Sequence, residues 1–239
     1  MQFLNRRDAG RQLATKLMGY AGDPGILVLG LPRGGVPVAY EVARGLHAPL
    51  DVFVVRKLGA PGHRELAMGA IASRGVRVLN LDVIEVLGIS PAALEAVAEK
   101  ERLEIERQER AYRDSAPIPE FSGRTIILVD DGLATGSTMR AAIGALRQSK
   151  PTRIIAAVPV ASAETVRRLG KEADTVVCLS APSEFQAQMS VWRAQFEQRS
   201  LKCPGAFVKG RPVIMSANSR MLSSISNIPE VAGRAIGNG

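Results

Sequence analysis

The stretch Ile126–Thr138, IILVDDGLATGST, decides how this chain folds. Ile126 to Val129 are four consecutive apolar residues, the mark of a strand buried on both faces. Two adjacent carboxylates follow, Asp130 and Asp131. Then comes a loop of small and hydroxyl residues, Ala134-Thr135-Gly136-Ser137-Thr138, which runs into a helix pattern. A strand end thus delivers two acceptors beside a helix start, where unpaired N–H groups and the helix dipole favour an anion. The carboxylates suit a diol and the loop suits a phosphate; a phosphorylated ribose carries both. No Gly-Lys-Ser/Thr is present, so this is not a Walker A loop.

Outward from this stretch, apolar runs alternate with helical patterns. Gly25–Leu31 reads as a second buried strand. It is followed by Pro32-Arg33-Gly34-Gly35 and a helix from Val36 to Leu46. The two glycines permit a tight approach of backbone, and Arg33 supplies a charged donor. Asp51–Val55 reads as a strand ending in Arg56-Lys57, at the edge where doubly wound sheets bind ligands. Leu58–Glu65 then reads as a loop with His63, Arg64 and Glu65 at its tip, and His47 as the cap of the preceding helix. Gly69–Ala72 and Gly75–Leu79 look like short strands. Ser90-Pro91 opens a long helix to about Arg113, laced with Glu–Arg pairs such as Glu106–Arg110. Arg153–Val160 and Thr175–Leu179 are further strands, with a short helix at Glu164–Leu169. Asn5–Met18 reads as an amphipathic helix opening the chain. Phe185, Met189, Trp192 and Phe196 recur at helical spacing and read as one packed face. The alternation argues for a parallel α/β sheet.

Composition sets bounds. The 239 residues are 46% hydrophobic and carry a net charge of +8, which fits a globular domain with appendages. Half of the basic excess sits in the tail, where Lys202, Lys209, Arg211, Arg220 and Arg234 face Glu230 alone. The remaining surplus suits polyanionic small molecules, and nucleic acid is not the expected partner. Cys178 and Cys203 make no CxxC or disulfide framework. Neither a signal peptide nor a membrane-length apolar run is visible, so a cytoplasmic protein without a membrane partner is expected. From Cys203 onward periodicity fails. The expected division is a domain over 1–200, with a helical insert at about 90–113, and a poorly packed tail over 201–239.

The central stretch resembles the 5-phosphoribosyl 1-diphosphate (PRPP) signature of type I phosphoribosyltransferases: four apolar residues, two acids, two further residues, then a Thr-Gly-x-Thr loop. Gly132 departs from that pattern, which usually has an aliphatic residue there. Pro32-Arg33-Gly34-Gly35 resembles the family's pyrophosphate loop, where a non-proline cis peptide is common, by position Pro32–Arg33. The run Arg56-Lys57-x-Gly-x-Pro is similar to adenine phosphoribosyltransferases, where it contacts pyrophosphate and starts a mobile lid. The resemblance covers about residues 5–200. It implies a doubly wound, mainly parallel sheet with a small hood, to which the first helix or the Trp192 region could belong, and the helical insert.

The resemblance also implies roles. Asp130 and Asp131 would hold the ribose hydroxyls, and Ala134, Thr135, Gly136, Ser137 and Thr138 the 5-phosphate. Arg33, Gly34, Gly35, Arg56 and Lys57 would hold pyrophosphate, and Glu65 would lie near the base. Mg²⁺ would be carried mainly by PRPP and pyrophosphate oxygens, without a protein cage. The acceptor would be a nitrogenous base. Ala134 replaces the Asp that serves 6-oxopurine rings in that family, and adenine enzymes have Ala there, so an adenine-like acceptor is the lead. Two alternatives stay open: a nucleotide-sensing regulator that binds nucleic acid, motivated by the basic tail, and a non-catalytic partner-binding module, motivated by the long charged helix. That helix could also mediate a homodimer.

Overall fold

The structure is a computed structural model and describes residues 3–113 and 118–181, together with the short strands Phe207–Val208 and Arg211–Pro212. The readings for Phe185–Phe196, and for the tail apart from those four residues, fall outside the described residues.

The apolar runs form one parallel sheet. In chain order its strands are β1 (Ile26–Gly30), β2 (Leu50–Val52), β6 (Thr125–Val129), β7 (Arg153–Val160) and β8 (Thr175–Ser180), arranged β2-β1-β6-β7-β8. Every residue of β1 is buried, as a run of branched aliphatics covered on both faces requires. One face packs α1 (Arg6–Leu17) and α2 (Gly35–Leu46), through Leu13, Leu17, Val38 and Val42 against Ile26, Val28, Ile127 and Val129. The other packs α5 (Ser137–Gln148) and α6 (Ala163–Leu169), through Met139, Ile143, Leu146 and Leu169 against Leu27, Leu29, Ile126 and Leu128. The doubly wound class read from the sequence is therefore the observed one. The strand order reverses between β1 and β6, which places the ligand-binding crevice at the carboxyl ends of those two strands.

The region after β2 corrects the expectation of a strand ending in Arg56-Lys57 and an irregular lid. The chain leaves the parallel sheet at Phe53. There Val54 N–H donates to the buried Ser73 hydroxyl (2.9 Å). A separate antiparallel sheet follows: β3 (Val55–Ala60), β4 (His63–Ala72) and β5 (Arg77–Leu79). Gly62, at φ 76°, makes the turn between β3 and β4, and the register shifts at Leu58, Gly59 and Ala60 mark bulges. A short helix, α3 (Leu81–Val86), then leads to the long α4 (Pro91–Arg113). The stretch after β2 is a hairpin because it has its own core. Leu58, Met68 and Ile71 are buried against Ala98 and Ile105 of α4.

The long helix begins as its Ser-Pro start predicts, with Ala93 N–H donating to Ser90 Oγ (3.2 Å). Its outer face carries a ladder of Glu–Arg pairs, Arg102 with Glu99 and Glu106 and Arg107 with Glu104, while Arg110, expected to pair with the Glu106 carboxylate, donates to the Glu106 carbonyl instead. Its last residue, Arg113, is buried. Arg113 donates to both oxygens of Asp51 in β2 (2.8 and 3.0 Å) and to the Val52 carbonyl (2.7 Å), and it pairs with Glu109. Burial pushes the Asp51 carboxyl up against the pull of Arg113. Removing one partner of such a pair leaves a buried charge uncompensated. Arg113→Leu is expected to cost about 3 kcal/mol in chemical denaturation, and adding Asp51→Asn to recover part of that loss.

Candidate functional site

Two loops meet at the crevice. Leu31–Gly35 follows β1 and the Asp130–Thr138 segment follows β6. Leu31 N–H donates to the Val129 carbonyl (2.9 Å), so the first loop is tied to the base of the second. The Pro32–Arg33 peptide is cis, as the resemblance implies. Gly34 caps α2 with no side-chain hydrogen bond. Its role is proximity rather than unusual dihedrals, since its φ is −65°. A Cβ on Gly34 would lie 2.1 Å from Asp131 Oδ2, and one on Gly35 would lie 2.6 Å from the Val129 carbonyl oxygen and 2.8 Å from Asp130 Cα. Glycine is thus required at both positions by the approach of backbone to the two acids.

Asp130 and Asp131 are half-buried. Asp131 N–H donates to Asp130 Oδ1 (2.8 Å). Burial, and then the neighbouring Asp131 charge, hold the Asp130 carboxyl well above the usual carboxylate range. Asp131 is balanced by Arg6 at the start of α1, whose Nε and Nη2 lie 2.8 and 2.7 Å from Oδ2. Sequence reading missed this pair, because 125 positions separate its members.

The phosphate-type loop is held from outside. The buried Thr165 of α6 donates its hydroxyl to the Ala134 carbonyl (2.9 Å) and accepts from Ser162 Oγ (2.9 Å). The Ser162-x-x-Thr165 spacing at that helix start was the available signal, since Ser162 also caps α6 through Thr165 N–H. Gly136, at φ 71°, begins α5 in a left-handed conformation and makes no side-chain cap. Thr135 and Ser137 share a hydroxyl contact (3.1 Å), and Ser137 N–H reaches Thr135 Oγ1 at 3.4 Å. Ala134, Thr135, Ser137 and Thr138 are exposed, so the loop's hydroxyls are accessible to an anion at this helix start.

The basic pair after β2 is divided. Successive residues of a strand face opposite ways, and Arg56 and Lys57 accordingly enter different clefts. Arg56 lines a cleft of about 550 Å³ with Arg33, Phe53, Gln108 and Tyr112, between the pyrophosphate-type loop and α4. Its Nε donates to Glu101 of α4 (2.7 Å). Burial pushes the Tyr112 phenol up, while the Arg33 charge opposes the shift. Lys57 lines a second cleft of about 360 Å³ between the hairpin and α5, with Ser137, Thr138 and Arg140. Thr138 borders both. Arg56 and Lys57, both expected to meet pyrophosphate, thus stand on opposite faces of the strand that carries them. Glu65 lines neither cleft; its side chain is fully exposed, 4.0 Å from Lys57 Nζ. His63 is exposed in the same hairpin, and His47 ends α2 in a left-handed conformation, φ 53°.

Two substitutions test this geometry. Gly34→Ala is expected to destabilise the fold by about 1–3 kcal/mol in chemical denaturation, by overpacking the Asp131 carboxylate. Asp130→Asn keeps an oxygen for Asp131 N–H and removes a carboxyl that ionises less readily in the folded chain than in the unfolded one. It is expected to raise Tm by about 2–4 °C at pH 7, the scale of roughly 1 kcal/mol in a domain of this size. Because the folded-state pKa is raised, the ionised carboxylate opposes folding above that pKa. The gain from Asp130→Asn therefore fades as pH falls and Asp130 protonates.

Comparison with known proteins agrees with this arrangement. Residues 2–197 match the family model described as the phosphoribosyl transferase domain. A Mycobacterium tuberculosis protein, provisionally named a phosphoribosyl transferase, is 48% identical over 185 residues; these make up 77% of this chain and 42% of that protein. The chain thus matches less than half the length of that relative. The crystal structure of TT1426 from Thermus thermophilus superposes with a TM-score of 0.68 at 45% identity, covering 77% of this chain and 87% of that one. A Roseiflexus protein named bifunctional protein PyrR is 36% identical over 125 residues, 51% of this chain and 62% of that protein. The fold, the paired acids at the switch point and the extent of the family match lead to one assignment: this chain belongs to the phosphoribosyl transferase domain family.

Proposed function

We propose that the chain transfers phosphoribosyl from PRPP to a nitrogenous base and releases pyrophosphate. The observation that carries this reading is the packing of Gly34 and Gly35 against Asp131 and Asp130. It brings a loop suited to pyrophosphate to the acids suited to a ribose diol, beside a loop suited to a 5-phosphate. In the reaction the bond from C1 to the pyrophosphate oxygen breaks, a C1–N bond forms, and the base loses a proton. Charge builds on the leaving oxygen and positive charge on the sugar, so catalysis rests on position and electrostatics. Arg33 and the Gly34–Gly35 backbone hold the leaving group, with Arg56 reaching it once released from Glu101. Asp130 and Asp131 hold the hydroxyls beside the cationic sugar, and Ala134–Thr138 anchor the phosphate.

Mg²⁺ fits this donor set as an ion carried on ligand oxygens. Among the described residues no group of three His, Cys, Asp or Glu side chains could hold a metal ion, and Asp131 is already paired with Arg6. Asp130 and Asp131 are the side chains that would meet it, and when bound it would neutralise charge on the pyrophosphate. Ala134 in place of an acid favours an adenine-like acceptor over a 6-oxopurine. In this reading Glu65 carries no chemistry, and the site of action is cytoplasmic, where PRPP is made. Among the described residues no helix is long and apolar enough to cross a membrane.

A second reading, a regulator that keeps the PRPP site, is favoured by the likeness to a protein named bifunctional. At about a hundred-fold excess over Kd, PRPP with Mg²⁺ is expected to add about 2.7 kcal/mol and raise Tm by about 5–10 °C. Asp130→Asn with Asp131→Asn abolishes that rise. A pyrophosphate-release screen of PRPP against a panel of bases separates the two readings. Turnover with one base supports the transferase, while PRPP binding without turnover supports the regulator. No stabilisation by PRPP, pyrophosphate or any nucleoside monophosphate contradicts both.

A further inference from the structure

The first helix is locked to the domain more tightly than a surface helix needs to be. A Cβ on Gly10 would lie 2.7 Å from Glu41 Cβ and 2.8 Å from the Val38 carbonyl oxygen, and one on Gly45 would lie 2.8 Å from Ala14 Cβ. The two glycines let α1 and α2 cross at close backbone contact. The side chain of Glu41 is fully buried between two arginines, Arg7 of α1 (2.6 Å) and Arg44 of α2 (2.6 Å). Leu13 and Leu17 fix the inner face. Asn5 caps the helix, its side chain accepting from Asp8 N–H (2.9 Å), so the first turn is ordered where Arg6 stands.

From that turn Arg6 reaches Asp131. Its Nε and Nη2 lie 2.8 and 2.7 Å from Asp131 Oδ2. A Cβ on Gly34 would meet both oxygens of the same carboxylate, so that loop also confines it. The pair is mostly shielded from water, with side chains 17% and 22% exposed, so its attraction is little screened. Asp130 stands next to it, and without a cation the two acids would repel at this spacing.

We propose that Arg6 is a positioning residue for ribose recognition: α1, locked on α2, holds the Asp131 carboxylate in place so that it accepts from a ribose hydroxyl. The inference rests on the PRPP reading above and adds to it an N-terminal residue outside the three ligand loops. Arg6 itself touches no reacting atom; it acts through Asp131.

The test measures binding of PRPP with Mg²⁺, and separately of inorganic pyrophosphate with Mg²⁺, by calorimetry on the full chain. Arg6→Gln and Arg6→Lys are compared with the parent protein. Arg6→Gln is expected to weaken PRPP by about ten-fold or more, the scale of one charge-assisted hydrogen bond. Pyrophosphate, which has no hydroxyl for Asp131, should change by less than about two-fold. Arg6→Lys should restore most of the PRPP affinity, because it returns the charge without the fork. Unchanged PRPP affinity in Arg6→Gln overturns the inference. So does an equal loss for both ligands accompanied by a fall in Tm, which marks a merely structural role. If the parent protein binds pyrophosphate and PRPP while Arg6→Gln binds both as well as the parent, only this inference fails. If the parent binds neither, the PRPP reading and the inference fall together.

Discussion

The site depends on one close contact, that of the Gly34–Gly35 backbone with the carboxyl end of β6. It exists because β1 and β6 are parallel neighbours whose outgoing helices lie on opposite faces of the sheet. Their loops diverge and leave a crevice at the carboxyl ends. The tie from Leu31 N–H to the Val129 carbonyl sets the separation of the two loops. Any side chain at Gly34 would occupy the space of the Asp131 carboxylate. A loop that could not give up two Cβ atoms would not bring donors for an anion beside acceptors for a diol. Two carboxylates, one of them resisting ionisation, are held together there at a cost in stability, as is common where a site needs charge.

The surroundings serve that contact from three directions. Behind the phosphate-type loop, Thr165 fixes the Ala134 carbonyl. Below the acids, α1 supplies Arg6. Beyond the pyrophosphate-type loop, α4 builds the far wall of the larger cleft, anchored by the Arg113–Asp51 pair and by apolar contacts with the hairpin. What the sequence suggests as a free charged insert is thus, on its inner face, a wall of the site. Its Glu101 holds Arg56, so a ligand recruiting Arg56 must compete with a carboxylate.

Much of this was legible in the sequence, and the rest was hidden for physical reasons. The parallel strands were legible because strands covered on both faces read as unbroken apolar runs. The span of α4 was legible from Ser90-Pro91 and its ladder of i,i+4 pairs. The paired acids and both glycine-bearing loops were legible as motifs, as was the cis peptide through the resemblance. The strands at Gly69–Ala72 and Gly75–Leu79 do pair, within β4 and β5, but the β3–β4 turn is hidden because Gly59, Pro61 and Gly62 read as breakers; in the fold Gly59 sits at a bulge and Pro61-Gly62 make the turn. Read as a loop, this stretch keeps Arg56 and Lys57 together, whereas the period of a strand sends them to opposite faces. The Arg6–Asp131 and Arg113–Asp51 pairs could not be read locally, because each joins segments that only the tertiary fold brings together. The acceptor end is sparsely written for a related reason. No compact motif in the sequence marks it.

The loops after β1 and β6, with Arg56 of β3, are proposed to form one PRPP site. The most direct measurement is a crystal structure of the chain with PRPP and Mg²⁺. The account predicts the 5-phosphate at Thr135–Thr138, the ribose hydroxyls at Asp130 and Asp131, and the pyrophosphate at Arg33–Gly35. A ligand whose phosphate and pyrophosphate both lie away from these residues, for instance wholly along the basic wall of α4, would contradict it.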